Sequence, residues 1–495
     1  MASSLFVLLR SRARATLSPS LWRSLVKSYF RLETMLQGPL ERRFDRRPGP
    51  LHAFQPLLAA PAFRGGPIVL VNSGLAPGGV ERQIVNTLRG LERRSDRPSG
   101  LLGLRLGEDP ELDFFKPSLE GFSGFVRNAV GFADARVLLG ASLPPAAVPP
   151  AAVPAAAVPP AVGPRGAEVR AAVRRIAMQI AWMPWDAREE ILRLAAEFAS
   201  LRPAVVHGWQ DGSGIPAAYA ARLTGVPRIL ISTRNMRPTN FVWYRPHMYL
   251  SHRELAQCPE VVMINNSHAG AADYAGWLGL PRDRFVVKRN GIDAGSMRRA
   301  ATPAVAALRS RLGIPPDAPV VGSIYRLNEE KRPLLWIETA RELAKLRPDC
   351  HFVIFGAGPM RAEVDDAAGR SGLGGNLHCP GTIADTALGL SLLDVFLLTS
   401  RAEGTPNVVL EASALGIAVV ATAAGGTREA IDEGVTGYLV EPAEPAVIAK
   451  RIAQVLQAAD WRARVQAAGP AFVERRFGLD RMISETLALY GLPPG

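Results

Sequence analysis

Between residues 401 and 412 the chain reads RAEGTPNVVLEA, with Glu403 and Glu411 separated by seven residues. The segment directly follows an apolar run, VFLLTS (395–400), that reads as a buried strand. Glu403 then falls in the loop at the strand's C-terminal end. Pro406 suits a first helical turn, because its φ is fixed and it has no N–H to waste. The amides of Asn407 and Val408 would point out of that helix N-terminus, where they can hold a phosphate. Glu411, just over a turn along, can accept hydrogen bonds from a ribose diol, and Glu403 from sugar hydroxyls. Two acids at this spacing also fit a helix cap and a surface acid.

The neighbours sharpen the choice. Arg326 and Lys331 lie in YRLNEEKR (325–332), immediately after the strand-like VVGSI. Cations at a strand's C-terminal edge stand where open α/β sheets bind ligands. Two of them suit a diphosphate leaving group, whose charge grows as the glycosidic bond breaks. Glycine pairs end other strands: Gly78 and Gly79 in PGGVER, Gly425 and Gly426 in AAGGTREAI. Glycine lets backbone amides approach a phosphate closely. FGAGP (355–359) reads as a tight turn.

These motifs need a scaffold, and the chain is long enough for two or three domains at 495 residues. With 48% hydrophobic and 21% charged residues, most of it should be globular. Apolar strand-like runs alternate with helical periodicity from residue 67 to about 290 (PIVLVNSG, LLGLRL, AVVHGW, RILIST, EVVMIN, RFVVKRNG). The rhythm restarts with PVVGSIYR, CHFVIFGAGP, VFLLTS, AVVATAAGG and TGYLVEP. Alternation of this kind implies parallel sheets of Rossmann type. We expect a basic extension (1–60), a first domain (61–289) and a second domain (290–495) ending in helix. Residues 143–164 are a Pro/Ala/Val repeat, dense enough in proline to forbid helix and sheet, and read as an insert in the first domain.

The net charge of +13 favours polyanionic partners. In residues 1–48, Arg23, Lys27 and Arg31 form a basic stripe opposite Trp22, Leu25, Val26, Tyr29, Leu32 and Leu36. Three readings stand: a helix lying on an anionic membrane, a helix packed on the body, and a transit peptide. No run of about 20 apolar residues could span a bilayer. The three cysteines show no paired or metal spacing, which argues for a reducing, cytoplasmic setting, with peripheral attachment to the membrane's cytoplasmic face as a variant.

Taken in order, NGID (290–293), RLNEEKRP (326–333), FGAGP (355–359), EGTPNVVLEA (403–412), GGTRE (425–429) and the G-x-x-G-Y-L-V run (434–440) resemble the GT4 family of retaining GT-B glycosyltransferases. The resemblance is strong over 290–442 and weaker over 67–290. It implies an α/β fold of two Rossmann-like domains facing a cleft. It implies further that Arg326 and Lys331 hold the donor diphosphate, Glu411 the ribose and Glu403 the transferred hexose. The Gly78–Gly79 backbone and the amides of Thr405, Asn407 and Val408 would lie near the donor. In such enzymes the donor phosphate itself accepts the acceptor's proton, so no protein nucleophile is needed. Many members carry H-x-H where this chain has His207, Gly208 and Trp209, which leaves His207 as the polar candidate there. The expected partners are a nucleotide-sugar donor and a glycan or lipid-linked acceptor, with no nucleic acid. No Asp-x-Asp pair is present, so no metal and no other cofactor is expected. A sugar-nucleotide 2-epimerase and an inactive interaction subunit of the same fold are the alternatives.

Overall fold

The computed structural model describes residues 65–132, 134–135 and 180–493. The expected basic helix in 1–48 and the Pro/Ala/Val insert at 143–164 lie outside these residues. The first sheet is built from β1 (Ile68–Asn72), β2 (Ser99–Gly103), β3 (Phe125–Asn128), β4 (Val205–Trp209), β5 (Arg228–Thr233), β6 (Val261–Asn265) and β7 (Phe285–Val287). Its spatial order is β3-β2-β1-β4-β5-β6-β7. Interleaved are α1 (Gly79–Arg94), α2 (Trp185–Leu201), α3 (Gln210–Leu223), α4 (His247–Leu255) and α5 (His268–Leu278).

After α6 (Thr302–Leu312) the pattern repeats. The second sheet contains β8 (Val320–Ile324), β9 (His351–Phe355), β10 (Leu377–Gly381), β11 (Val395–Leu398), β12 (Ala418–Thr422) and β13 (Gly437–Val440). Its order is β10-β9-β8-β11-β12-β13, the same winding as the first. Around it pack α7 (Pro333–Leu346), α8 (Arg361–Arg370), α9 (Thr386–Ser391), α10 (Asn407–Ala414), α11 (Pro445–Gln457), α12 (Ala459–Phe477) and α13 (Leu479–Tyr490).

The central strands are buried on both faces: every residue of β1, β4, β11 and β12 is buried. That is why they read as unbroken apolar runs rather than alternating ones. The helices show the other period. In α1, Ile84, Val85, Leu88 and Leu91 are buried on one face. Two edge strands, β3 and β10, were not signalled by the sequence. Both are short and partly exposed, so their residues need no continuous apolar run. The chain divides into two units: 1–233 with 241–264, and 234–240 with 265–495.

In each sheet the chain reverses its winding once, between β1 and β4 and again between β8 and β11. Helices leave in opposite directions at such a point and open a crevice beyond the strands' carboxyl ends.

Candidate active site

The second sheet's switch point holds most of the sequence-predicted residues. The chain leaves β8 through Tyr325, exposed Arg326 and buried Leu327. FGAGP is more than a turn, because it brackets this segment from β9. Leu327 N–H donates to Ala357 O at 2.9 Å and Met360 N–H to Leu327 O at 3.0 Å. A Cβ on Gly356 would lie 1.9 Å from Tyr325 O, so only glycine allows the two loops to meet. Arg332 closes the far side, its φ of 50° turning the chain into α7. Its guanidinium donates to Thr399 O at 2.6 Å and Ser400 O at 2.9 Å, at the end of β11. Arg401 N–H returns a bond to Glu330 O at 2.8 Å.

This stitching brings Lys331 onto Glu403. Their ion pair joins Lys331 Nζ to Glu403 Oε1, and Ser400 Oγ donates to the same oxygen at 2.6 Å. Glu403 is 5% exposed, and a carboxylate this deep needs partners. The next residue, Gly404, is pressed on its neighbours: a Cβ would meet Asn266 Oδ1 at 2.3 Å and Arg234 O at 2.5 Å.

Helix α10 starts one residue later than the proline rule predicts. Pro406 is the N-cap, with extended ψ of 110°, and the helix begins at Asn407. The first amides to bond within the turn are those of Val409 and Leu410, both to Pro406 O. The amides of Asn407 and Val408 therefore lead the helix at its positive end. Glu411 follows one turn on and is 3% exposed. Thr405 is buried, and its hydroxyl donates to Asn266 O at 2.7 Å. So Glu403, Thr405, Asn407, Val408 and Glu411 share the loop after β11 and its helix, and Lys331 reaches Glu403 from the segment after β8. Arg326 stands at the neighbouring strand end.

Three residues of this region carry no role predicted from the sequence. Asn290, Asn266 and Arg234 are all buried. Burial pushes the Arg234 guanidinium down to about 9, still charged at neutral pH, and it donates to Asn290 Oδ1 at 2.5 Å. NGID carries family likeness in the sequence, and the hydrogen-bonding work of its asparagine shows only in the fold.

The first sheet's switch point holds Gly78, Gly79 and His207. Gly78 is the N-cap of α1, and Gly79 begins the helix, exposed. A Cβ on Gly78 would lie 2.2 Å from Glu81 Oε2, so the glycine leaves room for a carboxylate folded back over it. Glu81 Oε1 accepts from Asn72 Nδ2 at 3.4 Å and Gln210 Nε2 at 3.3 Å. His207 differs from the expectation of a strand-end ligand. It lies inside β4 with no exposed surface, its Nε2 2.7 Å from Ser232 Oγ and its ring stacked on Trp209. The strand is covered on both faces, and the imidazole packs among its neighbours in the sheet.

Asp365 and Asp366, two adjacent acids, lie on α8. They pair with Arg361 (2.8 Å) and with Arg370. Among the described residues no helix is long and apolar enough to cross a membrane.

Residues 305–472 match the family described as glycosyl transferases group 1. The Vi polysaccharide biosynthesis protein VipC/TviE of Salmonella typhi is 31% identical over 281 residues. That match covers 56% of this chain and 48% of the relative, so the chain spans about half of that protein's length. The alpha-D-kanosaminyltransferase of Streptomyces kanamyceticus is 27% identical over 302 residues, 58% of this chain and 76% of the relative. Among solved structures, Anabaena Alr3699/HepE in complex with UDP and glucose superposes with a TM-score of 0.63 at 19% identity, covering 86% of this chain and 99% of that one. At that identity the likeness speaks for the fold: two parallel, Rossmann-like sheets of the GT-B type.

Proposed function

We propose that the chain, whose residues 305–472 match the group 1 glycosyltransferases, is a retaining glycosyltransferase. It moves a hexosyl-type sugar from a nucleotide-sugar donor to a glycan, lipid-linked or polysaccharide acceptor. One observation carries the reading. At the second sheet's switch point the half-buried Lys331, ion-paired to buried Glu403, stands beside the N-terminus of α10, with Glu411 one turn along it. The relatives' names point the same way, toward polysaccharide biosynthesis and aminosugar transfer, and the solved neighbour binds UDP and glucose.

The chemistry follows from the groups. Arg326, Lys331 and the α10 amides hold the diphosphate, and their fixed charge meets the negative charge that grows on it. Glu403 accepts hydrogen bonds from the hexose hydroxyls, and Glu411 from the ribose. The bond from C1 to the phosphate oxygen breaks, and the acceptor oxygen bonds to C1 on the same face. The acceptor's proton passes to the departing phosphate oxygen. No protein nucleophile is required, and no metal enters this account. The basic segment 1–48 suits an acceptor held at an anionic membrane surface.

The test is incubation of the purified chain with a panel of nucleotide sugars, with and without candidate acceptor glycans. Nucleoside diphosphate release that depends on acceptor, with an α-configured donor giving an α-linked product by NMR, is expected. A donor altered at C2 with no acceptor present would replace this reading with epimerisation. No turnover across the panel would leave an interaction subunit.

A further inference from the structure

A helix N-terminus can serve a diphosphate only if its direction is fixed, and the structure shows what fixes it. The residue is Asn290, in the NGID segment after β7, 3% exposed. Its Nδ2 donates to Thr405 O at 3.0 Å and to Asn407 Oδ1 at 2.5 Å. Its Oδ1 accepts from Arg234 Nη2 at 2.5 Å and from Asn266 Nδ2 at 3.4 Å. Its own carbonyl accepts from Arg481 Nη2 at 3.3 Å.

The polarity of this arrangement has one solution. Arginine only donates, so Oδ1 must face Arg234; a backbone carbonyl only accepts, so Nδ2 must face Thr405. One primary amide therefore uses both its donors and both its lone pairs, on three separate segments of chain. Aspartate would lack the donors, and leucine would lack everything. Two further contacts close the network. Thr405 Oγ1 donates to Asn266 O at 2.7 Å, and Gly404 is packed against Asn266 and Arg234. The two residues that Nδ2 grips are the ones flanking Pro406, the N-cap of α10.

We infer that Asn290 is a positioning residue for the donor diphosphate: it sets the direction of the leading α10 amides by holding Thr405 and Asn407 on either side of the cap. It touches no substrate and acts through the helix. The inference rests on the reading of α10 as the diphosphate site.

It makes a prediction that mere structural support would not. The loss should fall on the phosphates and spare the nucleoside, because Glu411 lies a turn beyond the cap. The test is calorimetric binding of UDP and of uridine to the full chain, wild type against Asn290→Ala and Asn290→Ser. Where wild type prefers another base, the matched GDP/guanosine or ADP/adenosine pair is used. The expected result is a fall of about tenfold in the preference for UDP over uridine in Asn290→Ala, comparable to one or two lost hydrogen bonds. Asn290→Ser should fall in the same direction, and it is the variant to read if Asn290→Ala does not fold. An unchanged UDP-to-uridine ratio in the folded variant would overturn the inference while leaving the donor site standing. A wild-type chain that prefers no nucleoside diphosphate over its nucleoside would overturn the donor site, and this inference with it.

Discussion

Two switch points with the same winding are filled with opposite chemistry. In the second sheet the strand ends carry charge, with Lys331 ion-paired to Glu403, Arg332 clamping two carbonyls and exposed Arg326 beside them. In the first sheet the same positions carry mostly hydroxyls, amides and a buried imidazole around one carboxylate, Glu81. His207 bonds Ser232, Asn72 bonds Glu81, and Ser213 Oγ donates to Asn72 Oδ1 at 3.3 Å. A buried ion pair is a weak source of stability, because desolvation offsets its Coulomb gain. Neutral hydrogen bonds between buried groups contribute about 1 kcal/mol each. The charged edge is thus a poor stabiliser and a good anion site, while the neutral edge is the reverse. Substitutions should separate the two: turnover falls in the second, and in the first stability falls with turnover nearly kept.

The largest effect is expected at the charged edge. Lys331→Ala and Arg326→Ala should each lower turnover by at least about tenfold, by removing charge that meets the departing diphosphate. Lys331→Ala should also destabilise, since Glu403 keeps only Ser400 Oγ. Arg326→Ala, at an exposed position, should leave the melting temperature near wild type. Steady-state rates with a competent donor, beside thermal melts, check both. Wild-type turnover in both variants would remove the phosphate assignment.

The neutral edge should respond the other way. His207→Leu with Ser232→Ala, made singly and together, forms a double-mutant cycle. We expect each single change to cost about 1–3 kcal/mol, the penalty of a buried group left without its partner. The double mutant should cost less than the sum, and turnover per folded molecule should stay within about threefold of wild type. A large turnover loss at unchanged stability would restore His207 as a sugar ligand.

A smaller effect concerns acid. Burial pushes the His247 imidazole down to about 3, with the Arg245 charge adding to it. The unfolded chain takes that proton near pH 6.5, so the unfolded state binds more protons below it. The titration contributes nothing above about pH 6.5 and opposes folding increasingly as pH falls toward about 3. Chemical denaturation across this window should show His247→Gln with a slope shallower by up to about 1.4 kcal/mol per pH unit. Parallel slopes for the two proteins would contradict it.

The contrast also explains what could be read from the sequence. Strands such as RILIST and VFLLTS announced themselves because parallel sheets bury both faces, while β3 and β10 lie at edges and carry no such run. Lys331, Glu403 and Glu411 stood out because charged residues at strand ends demand a reason. Asn290 and Asn266 did not, because an asparagine looks the same in a turn and in a buried network. The burial of His207 is hidden in the sequence for a related reason. Sequence gives its position along the strand, and burial depends on neighbours such as Ser232 and Trp209 that only the folded sheet supplies.

The central claim is that the positive potential for the diphosphate is built from fixed protein groups: Arg326, Lys331 and the leading amides of α10. Such groups need no ion and no reorganisation as the bond breaks. The most direct measurement is the initial rate of acceptor-dependent nucleoside diphosphate release in excess EDTA, followed by addition of magnesium or manganese. The account predicts a rate close to the untreated one, unchanged by either metal. A rate that collapses in chelator and returns with the metal would contradict it, and with it the roles given to Arg326 and Lys331.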